Sequence, residues 1–151
     1  MKIIVVGAGK VGYSVAKILS EEGHDITVID RDPETITHLS NELDVICVEG
    51  SATNHETLLG AGAAEADLLM AATQQDEVNM VCGITARKLG TKHVIARIRD
   101  TEYLRQTEFL REVLGLSITI NPEYECAKEI ARILRFPSAA RVDTFSKGSV
   151  E

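Results

Sequence analysis

Short apolar runs alternate along the chain with longer segments in which apolar residues recur at every third or fourth position. The first run, residues 3–6, is β-branched throughout, which is typical of a parallel strand buried on both faces. The segment after it repeats apolar residues at helical spacing, at Val11, Val15, Ala16 and Leu19. Five further strand patterns follow, each with a helical segment after it, so the chain predicts six β/α units.

Turn and capping residues bound these segments. Pro33 fits the first turn of the second helix, Thr53 or Asn54 can cap the third, and Gly90 can end the fourth. The predicted strands are residues 2–6, 26–30, 44–48, 68–72, 93–98 and 117–120. The predicted helices are residues 10–22, 33–41, a short segment ending at 59, 77–89, 101–114 and 122–134.

Six such units predict an α/β fold with a Rossmann-type, doubly wound parallel sheet of six strands, in the order 3-2-1-4-5-6. Ligands of such sheets bind beyond the carboxyl ends of the strands, here between strands one and four.

We expect residues 1–136 to form one nucleotide-binding domain. Pro137 should break the last helix. Weak alternation at Val142, Thr144 and Phe145 indicates that residues 137–151 are a linker or the start of a missing C-terminal lobe.

The turn after the first strand has the spacing G-x-G-x-x-G, at Gly7, Gly9 and Gly12. In a nucleotide turn, the first glycine lets the chain leave the strand and the second lets a pyrophosphate approach the backbone. The third lets the helix pack close to the strand. The helix that begins near Lys10 would then direct its unpaired N–H groups at the phosphates. A glycine turn that packs a β/α unit without a ligand is the alternative.

An acidic residue ends the second strand, where a ribose-binding residue is expected. Asp30 lies 18 residues after Gly12, close to the spacing of about 20 at which such an acid accepts the ribose hydroxyls. Its charge favours NAD over NADP, because a 2′-phosphate would meet the carboxylate. Arg31 weakens that preference, since an arginine there can accept a 2′-phosphate. Arg31 could instead lie across the adenine or be a solvated surface residue.

Composition and charge narrow the range of functions. The chain has 151 residues, 44% of them hydrophobic and 26% charged, which suits a single soluble domain. A net charge of −7 argues against a nucleic-acid partner. No apolar stretch reaches the roughly 18 residues of a membrane span, and we expect no signal peptide. The scattered cysteines Cys47, Cys82 and Cys126 are expected to be reduced and mostly buried, as in a cytoplasmic protein.

Arg97 ends a strand that is apolar enough to be buried, beside the expected phosphate site. A charge there needs a partner, which a phosphate or Glu123 could provide, whereas Arg99 is expected to be solvated.

Catalytic patterns are scarce, since the histidines are isolated. Tyr124 and Lys128 have the Y-x-x-x-K spacing of a short-chain dehydrogenase, but the chain lacks that family's glycine turn and a suitable upstream serine. One function that these patterns leave open is that of a small NAD-dependent oxidoreductase, of which this chain would be the cofactor lobe.

Several segments together resemble the nucleotide-binding domain, called KTN or RCK_N, of Trk/Ktr potassium-uptake regulatory subunits. The resemblance extends over residues 1–136. The glycine turn is general to Rossmann folds, whereas D-E-V-N-M, A-R-I-R and the N-P-E that opens the last helix are more specific. Ser51 follows Gly50 where that family more often has aspartate. The matching segments are residues 1–12, 23–30, 50–53, 64–73, 76–81, 95–99 and 121–123.

The resemblance implies which residues bind a nucleotide, either NAD(H) or ATP/ADP at the same site. The glycine turn and Arg97 would hold the phosphates, Asp30 the ribose and Arg31 the adenosine side. Residues 51–53 would lie beside the adenine, and the residues after the fourth strand would form the floor. A divalent metal near Glu123 is also implied. The expected nucleotide site consists of Gly7, Ala8, Gly9, Lys10, Val11, Gly12, Asp30, Arg31, Ser51, Ala52, Thr53, Ala72, Thr73, Gln74 and Arg97.

The resemblance also implies a cytoplasmic regulatory subunit that is not an enzyme. Such a subunit controls a membrane-embedded potassium-transporting subunit, at the inner face of the cell membrane, by changing conformation with its ligand. It assembles with itself as a dimer or higher oligomer, with the fifth and sixth helices as the expected contact surfaces. Packing within the same chain is the alternative for the apolar residues of the fifth helix, Phe109, Leu110, Val113 and Leu114.

Overall fold

Six short segments form one parallel sheet in the computed structural model, which describes residues 1–135, 144–145 and 149–150. Residues 104, 107, 110 and the last four are described by their backbone only. The strands are β1 (Lys2–Val6), β2 (Asp25–Asp30), β3 (Ile46–Glu49), β4 (Leu68–Ala71), β5 (His93–Arg97) and β6 (Ile118–Ile120). Their order is β3-β2-β1-β4-β5-β6, so the predicted Rossmann-type topology is confirmed.

Each of the six strands is followed by one helix or, in one case, by two. The helices are α1 (Lys10–Glu21), α2 (Pro33–Glu42), α3 (His55–Gly60), α4 (Asp76–Leu89), α5 (Thr101–Arg105), α6 (Thr107–Leu114) and α7 (Pro122–Arg135). Asp32 and Asn54 cap α2 and α3 with their side chains, and Pro33 is the first residue of α2, as the sequence predicts.

The single helix predicted over residues 101–114 is wrong, because the chain breaks it into α5 and α6 at Gln106. The N–H of Gln106 bonds to the carbonyl of Tyr103, three residues back, which closes α5 with a tighter turn. Neither a glycine nor a proline marks this break in the sequence.

The core lies on both faces of the sheet because successive side chains of a strand point in opposite directions. From β1, Ile4 and Val6 pack into one buried cluster with residues of α3 and α4. Ile3 and Val5 pack into a second cluster that includes residues of α1 and α2. The unbroken apolar run of β1 therefore serves two hydrophobic layers, as a doubly wound fold requires.

The chain divides into two compact units, Met1–Ile120 and Asn121–Glu151. The second contains α7, none of whose residues is buried, and an antiparallel pair of short strands, β7 (Thr144–Phe145) and β8 (Ser149–Val150). Val142 and Pro137 lie outside the described residues. The domain boundary at residue 136 stays a prediction.

Other surface and burial expectations have mixed outcomes. Phe109 and Val113 are 61% and 63% exposed, whereas Leu114 packs partly against the core; nothing is described of the side chain of residue 110.

All three cysteines are free, but Cys126 is exposed, contrary to expectation. Burial raises the pKa of the Cys82 thiol to about 12. Within the described part of the chain, the helices are too short or too polar to cross a bilayer.

Candidate functional site

Two glycines of the β1–α1 turn are required by the fold itself. Gly7 has φ of +87°, and a Cβ there would lie 2.9 Å from the backbone nitrogen of Thr73. A Cβ on Gly12 would lie 1.8 Å from the carbonyl oxygen of Gly7, since α1 begins directly against the turn. Both therefore perform the turn and close-packing roles that the spacing predicts.

Gly9 differs, because nothing in the protein requires a glycine there. Its φ of −65° and ψ of −175° suit any residue, and a Cβ would meet no atom within 4 Å. Gly9 is also exposed. The missing side chain leaves bare backbone at the surface of the turn, which fits the close approach of a group such as a pyrophosphate.

The N-terminus of α1 is electrostatically suited to an anion. Its first turn contains no acidic residue and no side chain caps it, and Lys10 and Val11 are its first two residues. Among the helices of the described residues, each of the other six has an acidic side chain in its first turn. The positive end of the α1 dipole is therefore not offset by a carboxylate of its own.

Asp30 ends β2 beside this turn. One carboxylate oxygen accepts from the N–H of Ala8 at 2.7 Å and the other from the N–H of Asp32 at 3.0 Å. Ala8 is itself buried, whereas Arg31 is exposed. Asp30 is thus joined to the turn expected to bind phosphate, and its ribose-binding role stays a prediction.

The β3–α3 loop is attached to the end of β2. The N–H of Gly50 bonds to the carbonyl of Asp30 at 2.8 Å, and the hydroxyls of Ser51 and Thr53 lie 2.9 Å apart. Ala52 is buried in the core. Ala52 therefore packs inward, whereas Ser51 is half-buried and Thr53 is exposed.

The β4–α4 loop joins the same corner. The N–H of Ala72 bonds to the carbonyl of Val6 at 2.8 Å, which holds the end of β4 against β1. Thr73 is half-buried and contacts Gly7, whereas Gln74 is exposed. The turns that follow β1 and β4 therefore lie against each other at Gly7 and Thr73, and the floor position expected of Thr73 stays a prediction.

Two arginines, one at the end of β5 and one two residues after it, contact this loop. Arg97 is only 7% exposed, and its Nη1 lies 3.5 Å from the carbonyl oxygen of Thr73. Arg99 is more exposed, but it also contacts the loop: its Nη2 donates to the carbonyl of Gln74, and its Nε lies 3.9 Å from the Asp76 carboxylate. The expectation that Arg99 is merely solvated is therefore incomplete.

Two buried polar residues of α4, Asp76 and Asn79, bond to residues around this loop, although they are not among the site residues expected from the sequence. Asp76 accepts from the N–H groups of Arg99 and Asp100, both at 2.8 Å. Asn79 bonds to Thr73 and to Arg97. A sequence signal exists, because both lie on the buried stripe of α4 that continues with Cys82, where an unpaired polar group would be costly.

The second unit holds the other candidates. Glu123 is near the start of α7, and its metal-binding role stays a prediction; the described residues contain no group of three histidine, cysteine or acidic side chains suited to a metal. Lys128 Nζ lies 5.3 Å from the centre of the Tyr124 ring and 3.0 Å from both carboxylate oxygens of Glu125. These contacts explain the Y-x-x-x-K pair as an ordinary surface interaction.

The sheet order and the glycine turn define the class, a Rossmann-type α/β domain. The family model described as the TrkA-N domain matches residues 3–122. The chain therefore belongs to the TrkA-N domain family.

Curated relatives have similar sequences over the whole of this chain. It is 40% identical over 151 residues to a Trk system potassium uptake protein TrkA homolog of Archaeoglobus fulgidus, covering 100% of this chain and 34% of the relative. It is 39% identical over 153 residues to the Trk system potassium uptake protein TrkA of Haemophilus influenzae, covering 99% and 33%. The chain thus spans about a third of the length of these relatives.

Solved structures share the fold at lower sequence identity. The TrkA-N domain of the inner membrane protein ybaL from Escherichia coli has a TM-score of 0.77 and 22% identity, over 88% of this chain and 96% of that one. The GsuK channel bound to NAD has a TM-score of 0.68 and 23% identity, over 79% and 21%. GsuK bound to ADP has a TM-score of 0.68 and 22% identity, over 80% and 31%.

Proposed function

We propose that this domain binds an adenine nucleotide, NAD(H) or ATP/ADP, at the corner formed by the β1–α1 turn and the ends of β2, β4 and β5. The main support for this proposal is Gly9. It leaves backbone without a side chain at the N-terminus of α1, although neither its own φ nor the atoms around it require a glycine. The structures of GsuK with NAD and with ADP, which share the fold, support this class of ligand.

The residues of the corner suit the parts of such a ligand. The backbone of residues 7–12 would receive the phosphates, helped by the α1 dipole. Each carboxylate oxygen of Asp30 has lone pairs beyond its single backbone bond, so it could accept ribose hydroxyls as well. Arg97 would add positive charge. The Ser51 and Thr53 hydroxyls would lie on the adenine side, with Arg31.

The role we propose for this binding is regulatory. The relatives that match this chain are named as Trk system potassium uptake proteins, which supports control of a membrane-embedded potassium-transporting subunit. A nucleotide can shift a conformational equilibrium only by binding the two states with different affinity. A ligand that joins the β1–α1 turn, Asp30 and Arg97 would do so if those groups separate in one state.

Location and assembly are part of the same proposal. We propose a cytoplasmic domain that works at the inner face of the cell membrane through its partner and forms a dimer or higher oligomer. The exposed side chains of Phe109 and Val113 and the absence of buried residues on α7 support self-association. The net charge of −7 supports a role without nucleic acid.

Calorimetric titration of the chain with NAD, NADH, ATP and ADP tests the binding. We expect saturable binding of at least one of them, and no binding of any would contradict the proposal. We also propose that the domain has no enzyme activity. NADH absorbance should therefore stay constant in the presence of a panel of carbonyl substrates, whereas turnover would favour the oxidoreductase alternative.

A further inference from the structure

The side-chain amide of Asn79 connects the ends of two strands inside the protein. Asn79 is fully buried. Its Oδ1 accepts from the N–H and the hydroxyl of Thr73, at 2.9 and 2.7 Å. Its Nδ2 donates to the carbonyl of Thr73 at 3.2 Å and to that of Arg97 at 2.8 Å. Both acceptor and both donor positions of the amide are therefore in use.

Only one orientation of this amide satisfies its neighbours. If the oxygen and nitrogen were exchanged, the NH₂ group would face the N–H of Thr73, and the oxygen would face two carbonyl oxygens. The site is thus specific for a group with an acceptor on one side and two N–H donors on the other. Among side chains of this length, asparagine alone meets that requirement.

The residues that Asn79 holds are those that form the candidate nucleotide corner. Thr73 lies directly against Gly7, because a Cβ on that glycine would come within 3.0 Å of three Thr73 atoms. Arg97 Nη1 lies 3.5 Å from the Thr73 carbonyl. A displacement of Thr73 would therefore move the β1–α1 turn and change where the Arg97 guanidinium lies.

We propose that Asn79 is the positioning residue of the nucleotide site, setting the relative places of Thr73 and Arg97 without touching the ligand. This inference rests on the proposed function. Asn79 is the asparagine of the D-E-V-N-M segment. In this proposal it keeps the ends of β4 and β5 at the spacing that phosphate binding needs.

Asn79→Asp is the sharpest variant, because it keeps the size of the side chain and removes both N–H donors. Carboxylate oxygens would then face the carbonyls of Thr73 and Arg97. Asn79→Ala is measured beside it, because it removes the same hydrogen bonds without adding a charge that could itself repel ADP. Thr91→Val is the matched control: Thr91 is also fully buried and donates to the carbonyl of Ala63 at 2.7 Å, but it lies before β5, at the opposite end of the sheet.

The test measures ADP and adenosine affinities of the wild type and the variants by titration, and their stabilities in urea. We expect Asn79→Asp to lose at least tenfold in ADP affinity and less in adenosine affinity, because adenosine lacks the phosphates. Thr91→Val should keep both affinities within about twofold despite its lost stability. A purely structural role of Asn79 would leave the ratio of the two affinities unchanged in Asn79→Ala, where no added charge can repel the phosphates.

The outcomes separate this inference from the proposed function. Failure of the wild type to bind any of NAD, NADH, ATP and ADP would overturn the proposed function, and this inference with it. If only NAD or NADH binds, that nucleotide replaces ADP in the comparison with adenosine. Binding by the wild type together with unchanged ADP affinity in a folded Asn79 variant would overturn the inference alone. Equal losses for ADP and adenosine, or a similar loss in Thr91→Val, would also overturn it.

Discussion

The carboxylate of Asp30 accepts a hydrogen bond from the backbone N–H of Ala8 at 2.7 Å. The candidate ribose-binding residue and the candidate phosphate-binding turn are therefore one connected unit. Without this bond, the N–H of the buried Ala8 would lose its acceptor. Asp30 is consequently expected to shape the turn as well as to offer oxygens to a ligand.

Asp30→Ala is expected to weaken nucleotide binding at least tenfold, about 1.4 kcal/mol, because the ribose acceptor and the Ala8 bond are lost together. Calorimetry with ADP and NADH measures the effect. Asp32→Ala is the control, since Asp32 caps α2; it should cost about 1 kcal/mol of stability and leave the affinity unchanged. Wild-type affinity in Asp30→Ala would contradict the ribose assignment.

Gly9→Ala is expected to reduce nucleotide affinity at least tenfold (about 1.4 kcal/mol) while changing the free energy of unfolding by less than about 1 kcal/mol. The protein has room for the new methyl group, so any effect must come from what approaches the turn from outside. Gly60→Ala is the matched control, because a Cβ there also meets nothing within 4 Å and Gly60 ends α3. Undiminished binding in Gly9→Ala would mean that no phosphate lies over that backbone.

Gly12→Ala is expected to destabilise the fold by about 3 kcal/mol or more. The new Cβ would lie 1.8 Å from the Gly7 carbonyl oxygen, so α1 would have to move away from β1. Urea unfolding compares it with Gly9→Ala, a variant of the same turn. A midpoint equal to that of the wild type would show that α1 can shift without cost.

Asp67 is expected to contribute to the acid sensitivity of the fold. The hydrogen bond from Lys92 at 2.7 Å, and then the one from the N–H of Lys2, hold the pKa of its carboxyl below the ordinary value of about 3.9. A lowered folded-state pKa adds stability above about pH 3.9, and this is lost as the pH falls through the folded-state value.

Asp67→Asn should therefore destabilise the protein at pH 7 and have a smaller effect at pH 3, as measured by urea unfolding at both values. Glu65→Gln, an exposed residue nearby with the same change of charge, is the control and should leave the pH dependence unchanged. An equal cost of Asp67→Asn at both pH values would count against the charge interaction with Lys92.

The strands and helices were predictable because each carries a local pattern that does not depend on its neighbours. Their order in the sheet was predictable because six alternating units after a glycine turn are typical of the Rossmann topology. β1 shows this best, since its unbroken apolar run indicates burial on both faces before any partner is known. The break at Gln106 was not predictable, because it arises from a shift in backbone hydrogen bonding that no particular residue type signals. The start of β3 also differed from the prediction, as Ile46 is the first residue paired with β2.

The sequence by itself determined the class of fold, the glycine turn and the identity of Asp30 as the acid at its side, because spacing along the chain encodes these features. Only the tertiary structure decided that no contact within the protein requires a glycine at position 9, and that Asn79 joins Thr73 to Arg97. Those contacts depend on how close separate strand ends come together. Asn79 and Arg97 are 18 positions apart, and no local pattern specifies the partner of a buried amide.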